Sequence, residues 1–162
     1  KVPGEFKDEM IKQFVIEQLV DNRLWLMAAK DMGITVSDGD LREMIVQVPE
    51  FQKNGAFDPE LYQRLLAANH LTPKVFEEAQ AKEILGNKAR MFVRDAVALT
   101  PSEISEGQAL MTRQPDADPT KATAAKDRVL EDMLFQKQQR ALVAFQESLK
   151  GKIPVKVHRE LL

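Results

Sequence analysis

Cysteine is absent from all 162 residues, which removes disulfides, thiolate metal sites and thiol nucleophiles together. Histidine is nearly absent as well. His70 and His158 stand alone, and neither has a second ligand at metal spacing, so no metal site is expected. His70, near a helix end, and His158, in a basic tail, read as structural or solvated. The glycines are scattered, no phosphate-cradling loop is formed, and no nucleotide or other cofactor is expected. No basic stripe accompanies the net charge of −2, which argues against a nucleic-acid partner. No apolar run approaches the ~18 residues of a membrane span. No charged-then-apolar secretion leader is present either, and the opening Lys1-Val2-Pro3-Gly4 reads as the start of a processed or trimmed chain.

The carboxylates are plentiful, but they lie on helix faces interleaved with Lys and Arg, the pattern of a solvated surface rather than an acid/base pair. Asp38, Asp40 and Asp58 lack the ligand pattern of a calcium loop. Ser37 has no histidine in reach by sequence and reads as a helix cap. No residue set argues for catalysis, so the chain is not expected to be an enzyme.

What is present is helix. Residues 5–32 carry apolar side chains at Phe6, Met10, Ile11, Phe14, Val15, Leu19, Val20, Leu24, Leu26, Met27 and Ala28, mostly three or four apart. Ile16 and Trp25 fall off that stripe, which predicts a helix packed on two sides, with Gly33 ending it. Further helices are expected over 37–48, 58–69, 72–98 (with Gly86 weakening its middle), 100–114 and 120–150. Ser37, Asp58-Pro59, Thr72-Pro73 and Thr100-Pro101 supply the starts, and Glu103 completes a capping box. Asn54-Gly55 supplies the positive-φ residues of a tight turn, with Phe51 and Phe57 flanking it as apolar anchors. Gly151 is expected to end the last helix, and the alternating segment 152–158 reads as an edge strand, Pro154 barring it from a central position.

The stretch 34–79, with Gly33-Ile34-Thr35-Val36-Ser37-Asp38, Pro49-Glu50-Phe51-Gln52, Asn54-Gly55, Phe57-Asp58, Leu71-Thr72-Pro73 and Phe76-Glu77-Glu78 in that order, resembles the N-terminal chaperone domain of SurA/PpiD/PrsA-type periplasmic folding factors, nearest the PpiD-like branch. Residues 130–157 resemble the C-terminal helix and strand that fold back onto that domain. The resemblance implies an all-α, elongated chaperone domain over 1–162. Its parts would be an N-terminal helical portion at 1–99, a connecting helix and loop at 100–119, and a C-terminal helix and strand at 120–162. Relatives carry a parvulin-type prolyl isomerase between the two pieces, for which the distance from Met111 to Leu130 leaves no room.

The implied function is ATP-independent binding of unfolded outer-membrane or secreted chains in the periplasm or cell envelope. Two alternatives remain at this level: a fragment of a parvulin-type isomerase lacking its catalytic domain, or a strand- or helix-swapped homodimer acting in assembly. Seven methionines and eight phenylalanines supply adaptable apolar area for many client sequences. Trp25, Phe51, Met91 and Met111 are the candidates for peptide contact, being least explained by a core stripe.

Overall fold

The computed structural model describes the backbone of residues 3–112, 119–154 and 156, and the side chains of residues 8–110, 125–154 and 156. In chain order these form α1 (Pro3–Asp31), α2 (Asp38–Gln47), a 3-10 turn (Pro49–Phe51), β1 (Gln52–Lys53), β2 (Ala56–Phe57), α3 (Pro59–Ala68), α4 (Pro73–Asp95), α5 (Pro101–Thr112) and α6 (Pro119–Lys152). The class is all-α, as the helical periodicity predicts. The chain divides into two compact units, one holding it through Ala89 and the other beginning at Arg90.

The first unit owes its boundaries to caps. Gly33 at φ 70° ends α1, with its N–H donating to the Lys30 carbonyl and that of Ile34 to Ala29. His70 does the same for α3 at φ 57°, a left-handed position more often held by glycine, so its role is to turn the chain. The Asp58 carboxylate accepts from the Glu60 and Leu61 N–H groups, which lowers its pKa, the Leu61 bond most strongly. Asn54 (φ 55°) and Gly55 (φ 79°) close the β1–β2 hairpin in the register Gln52↔Phe57 and Lys53↔Ala56.

That hairpin delivers two aromatics to one core. Ile45, Phe51, Tyr62 and Leu66 are buried together, with Leu41, Val48, Phe57, Leu65 and Phe76 packed against them. Phe51 meets Tyr62 edge-on at 4.9 Å between ring centroids and Phe76 at 5.7 Å. These edge-to-face contacts let the positive rim of one ring meet the negative face of the next.

In the second unit α5 and α6 pair antiparallel. Gly107 is buried at their crossing, where a Cβ would lie 2.9 Å from Leu130 Cδ2 and 2.9 Å from Met133 Sδ; its lack of a side chain is what lets the helices approach.

The two units share one device. Ser37 and Asp40 form the capping box of α2, and Lys88 of α4 donates both to Asp40 Oδ2 at 2.7 Å and to the Thr35 carbonyl at 3.2 Å. Thr100 and Glu103 form the capping box of α5, and Lys137 of α6 donates both to Glu103 Oε2 at 2.6 Å and to the Ala98 carbonyl at 3.0 Å. In each, a lysine from another helix ties down the cap carboxylate and a carbonyl two residues before the N-cap. The Lys137 bond, then the Thr100 bonds, lower the Glu103 pKa to about 2; Lys88 and Ser37 likewise hold Asp40 far below the carboxylate range.

A pH dependence follows. The folded-state value of Glu103 lies below its ordinary 4.5, so its contribution is complete above about pH 4.5 and is lost as pH falls through about 2. Wild type should therefore exceed Glu103→Gln in stability by a constant margin at neutral pH. Denaturant titrations at successively lower pH should show that margin closing between about pH 4.5 and 2.

Three sequence expectations are corrected. Gly151 does not stop α6, which continues to Lys152, and the Ile153 N–H still donates to the Leu149 carbonyl at 3.0 Å. Glycine ends a helix by entering the left-handed region, and Gly151 does not do so. The expected strand at 152–158 is absent at Lys152, Ile153, Pro154 and Lys156, and its other positions lie outside the described residues. Finally, α1 is not packed on two sides along its length. Among its described side chains the buried ones are Leu24, Trp25, Ala28 and Ala29, all in its C-terminal half.

Candidate peptide-binding surfaces

The N-terminal half of α1 leaves Met10, Ile11, Phe14, Val15 and Leu19 between 43% and 62% exposed. Ile11, Phe14 and Val15 precede Trp25, Ala28 and Ala29 by 14 positions each, about four helical turns. Ile11, Phe14 and Val15 therefore continue the face that α1 buries further along, and Met10 stands in the same relation to Leu24. Trp25, which the spacing placed off the main stripe, lies on the buried part of that face.

A second surface is a cleft of about 500 Å³ among α2, β2, α3 and the first turn of α4. Its apolar walls are Leu41, Ile45, Val46, Phe57 and Tyr62, with Pro59 and Pro73 at the starts of α3 and α4. Both prolines occupy the first helical position, where a missing N–H costs no hydrogen bond. Asp38, Arg42, Gln63 and Glu77 complete the lining. The Tyr62 hydroxyl donates to Glu77 Oε1 at 3.2 Å. Burial, then the adjacent Glu77 charge and that bond, push the phenol up to about 12, so it remains a donor across the ordinary pH range.

The four contact candidates separate. Trp25 is 2% exposed and Phe51 7%, so both are closed off from solvent and serve as core; the reason is their packing position, on the buried face of α1 and in the Tyr62 cluster. Met91 is 50% exposed and stands beside the exposed Phe92. Met111 lies in α5, and its side chain is outside the described residues. Sequence reading missed the α1 stripe by assigning it to the core. The available signal was size: Ala28-Ala29 marks where a neighbour approaches closely, and no such small pair occurs between Met10 and Leu19. Among the described residues no group of His, Cys, Asp or Glu is arranged to hold a metal ion, and no helix is long and apolar enough to cross a membrane.

The family described as the SurA-like N-terminal domain matches residues 2–90, more than half of the chain. The chain belongs to that family. Within it, similarity extends to proteins named periplasmic chaperone PpiD. That of Haemophilus influenzae is 37% identical over 62 residues, covering 38% of this chain and 10% of the relative. That of Haemophilus ducreyi is 39% identical over 67 residues, covering 40% and 11%. That of Buchnera aphidicola is 29% identical over 68 residues, covering 42% and 11%. The chain thus spans about a tenth of the length of the curated relatives it matches. No solved structure matches.

Proposed function

We propose that this SurA-like domain holds unfolded polypeptides of the cell envelope, outer-membrane or secreted chains, without ATP and without catalysing proline isomerisation. The observation that carries this reading is the apolar stripe of α1 left open to solvent, Met10, Ile11, Phe14, Val15 and Leu19. The relatives are named periplasmic chaperones, which supports the same class of partner and the envelope as its location. The stripe amounts to roughly 500 Å², the size of the largest, often functional, patch on a monomer. It falls short of the ~800 Å² per partner of a stable interface, which favours transient client contact over a permanent homodimer. Met91 and Phe92 add apolar area of the same kind. Contacts of this sort, adaptable and few at a time, give affinities of about micromolar or weaker.

The test is light scattering from a chemically denatured outer-membrane protein diluted with and without this chain. A parallel assay follows isomerisation of a proline peptide. Wild type should suppress scattering and leave isomerisation at its spontaneous rate. Because each buried Met, Phe or Leu contributes ~1.5–3 kcal/mol on contact, the triple variant M10S/F14S/L19S should need at least about tenfold more protein for equal suppression. Its own unfolding midpoint should stay close to wild type, since these side chains are exposed in the folded chain. Full suppression by the triple variant, or none by wild type, would sink the reading.

A further inference from the structure

The tip of the hairpin holds a reactive pair. Of the asparagines, Asn22, Asn54, Asn69 and Asn87, only Asn54 is followed by glycine. A glycine leaves its backbone nitrogen open to approach, because no Cβ shields it. Asn54 and Gly55 are both exposed, so water reaches the carboxamide. Asn69 differs, since its Nδ2 donates to the Leu65 carbonyl at 2.8 Å and His70 follows it. Asn22 and Asn87 lie inside α1 and α4.

An exposed Asn-Gly pair has a reaction of its own. The Gly55 nitrogen gives up its proton to solvent base and attacks Asn54 Cγ. The N–Cγ bond forms, the Cγ–Nδ2 bond breaks and ammonia leaves. Water then opens the five-membered succinimide at either carbonyl. The product is aspartate or, with the main chain rerouted through Cβ and Cγ, isoaspartate. Water is consumed, ammonia is released, and nothing is oxidised or reduced.

The closed turn blocks the first step. Ring closure requires Asn54 Cβ and the Gly55 nitrogen to be nearly eclipsed about the Cα–C bond. Asn54, at φ 55°, is in the left-handed region, where ψ is roughly +30 to +60°. There the Gly55 nitrogen stands nearly opposite Cβ and out of reach of Cγ. The pairing Lys53↔Ala56 holds the turn in that state, as does the Asp58 N–H, which donates to the Phe51 carbonyl at 2.8 Å.

We propose that Asn54 is a modification site that reacts only when the hairpin opens, and that its isoaspartate product keeps the hairpin from closing again. Aspartate can resume the turn, since Asp-Gly suits the same pair of positive-φ positions. Isoaspartate cannot, because an additional methylene enters the main chain inside the turn that sets the Gln52↔Phe57 register. Phe51 and Phe57 then no longer return together to the Tyr62 cluster. A reversible opening of the first unit thereby becomes a permanent one.

The test incubates the full chain at mildly alkaline pH, native and in guanidinium chloride. Asn54 is followed by mass after brief digestion with pepsin in acid, with isoaspartate separated from aspartate by chromatography. Deamidation should be at least about tenfold slower in the native chain, where only the open fraction reacts. Phe51→Leu, which loosens the core under the hairpin, should speed the native reaction at least about threefold and leave the rate in denaturant unchanged. In urea the isoaspartate-bearing chain should lose the near-ultraviolet circular dichroism of Tyr62 earlier than wild type, whereas Asn54→Asp should match wild type. Equal rates in the native and denatured chain would overturn the proposal, because the turn would then give no protection. A native rate that Phe51→Leu leaves unchanged would place the reaction in the closed turn and overturn it equally. An isoaspartate chain with the wild-type midpoint would remove the lasting opening, and no reaction even in guanidinium chloride would remove the site itself.

Discussion

Phe51→Ala should destabilise the first unit by about 3–5 kcal/mol, the range for deleting a buried phenylalanine. The side chain is 7% exposed, and its ring contacts Tyr62 and Phe76 edge-on, so truncation loses burial and two ring pairs and leaves a cavity. Small domains are stable by about 5–15 kcal/mol in all, so the variant should lie near the edge of folding at room temperature. Tyr62 is the sole tyrosine and sits at the centre of this cluster, which makes near-ultraviolet circular dichroism of its ring a local reporter. That signal should vanish at lower urea in Phe51→Ala than in wild type, with Phe51→Leu between the two. An unchanged midpoint would mean that the hairpin is an ornament rather than a part of the core.

The same residue shows how the sequence carries some of this structure and conceals the rest. Asn54-Gly55 between two phenylalanines specifies a hairpin that returns both rings to one side, because positive φ is needed at two consecutive positions and the residues present tolerate it. The starts of α2, α3, α4 and α5 are equally legible, since a cap is a local event among residues two or three apart. The lysine clamps are not. Lys88 meets Asp40 across 48 positions and Lys137 meets Glu103 across 34, and among 23 basic residues nothing in sequence singles out those two. The cleft is hidden for a related reason: its walls are core residues whose outer edges are left bare only once α2, α3 and α4 are placed. The fate of the α1 stripe was misjudged because periodicity reveals that a face is apolar but not whether a neighbour covers it.

Trp25→Ala should likewise cost about 3–5 kcal/mol, and its value lies in separating core from contact surface. At 2% exposure the indole offers nothing for a client to touch, while Leu24, Ala28 and Ala29 are buried beside it on the same helix. A contact residue would behave oppositely, with stability changed by less than about 0.5 kcal/mol and client binding lost. Because Trp25 is the only tryptophan, wild-type unfolding can be followed by its emission shifting to the red, and the variant by far-ultraviolet circular dichroism. The expected pair of results is a strongly lowered unfolding midpoint for Trp25→Ala and a nearly unchanged one for M10S/F14S/L19S, although both sets of residues belong to one helix. In client holding, by contrast, the triple variant should be impaired while fully folded, and Trp25→Ala only to the extent that it unfolds. Should Trp25→Ala keep its stability and lose holding, the indole would be a surface that opens to clients, and the boundary between the buried and exposed halves of α1 would move toward its C-terminal end.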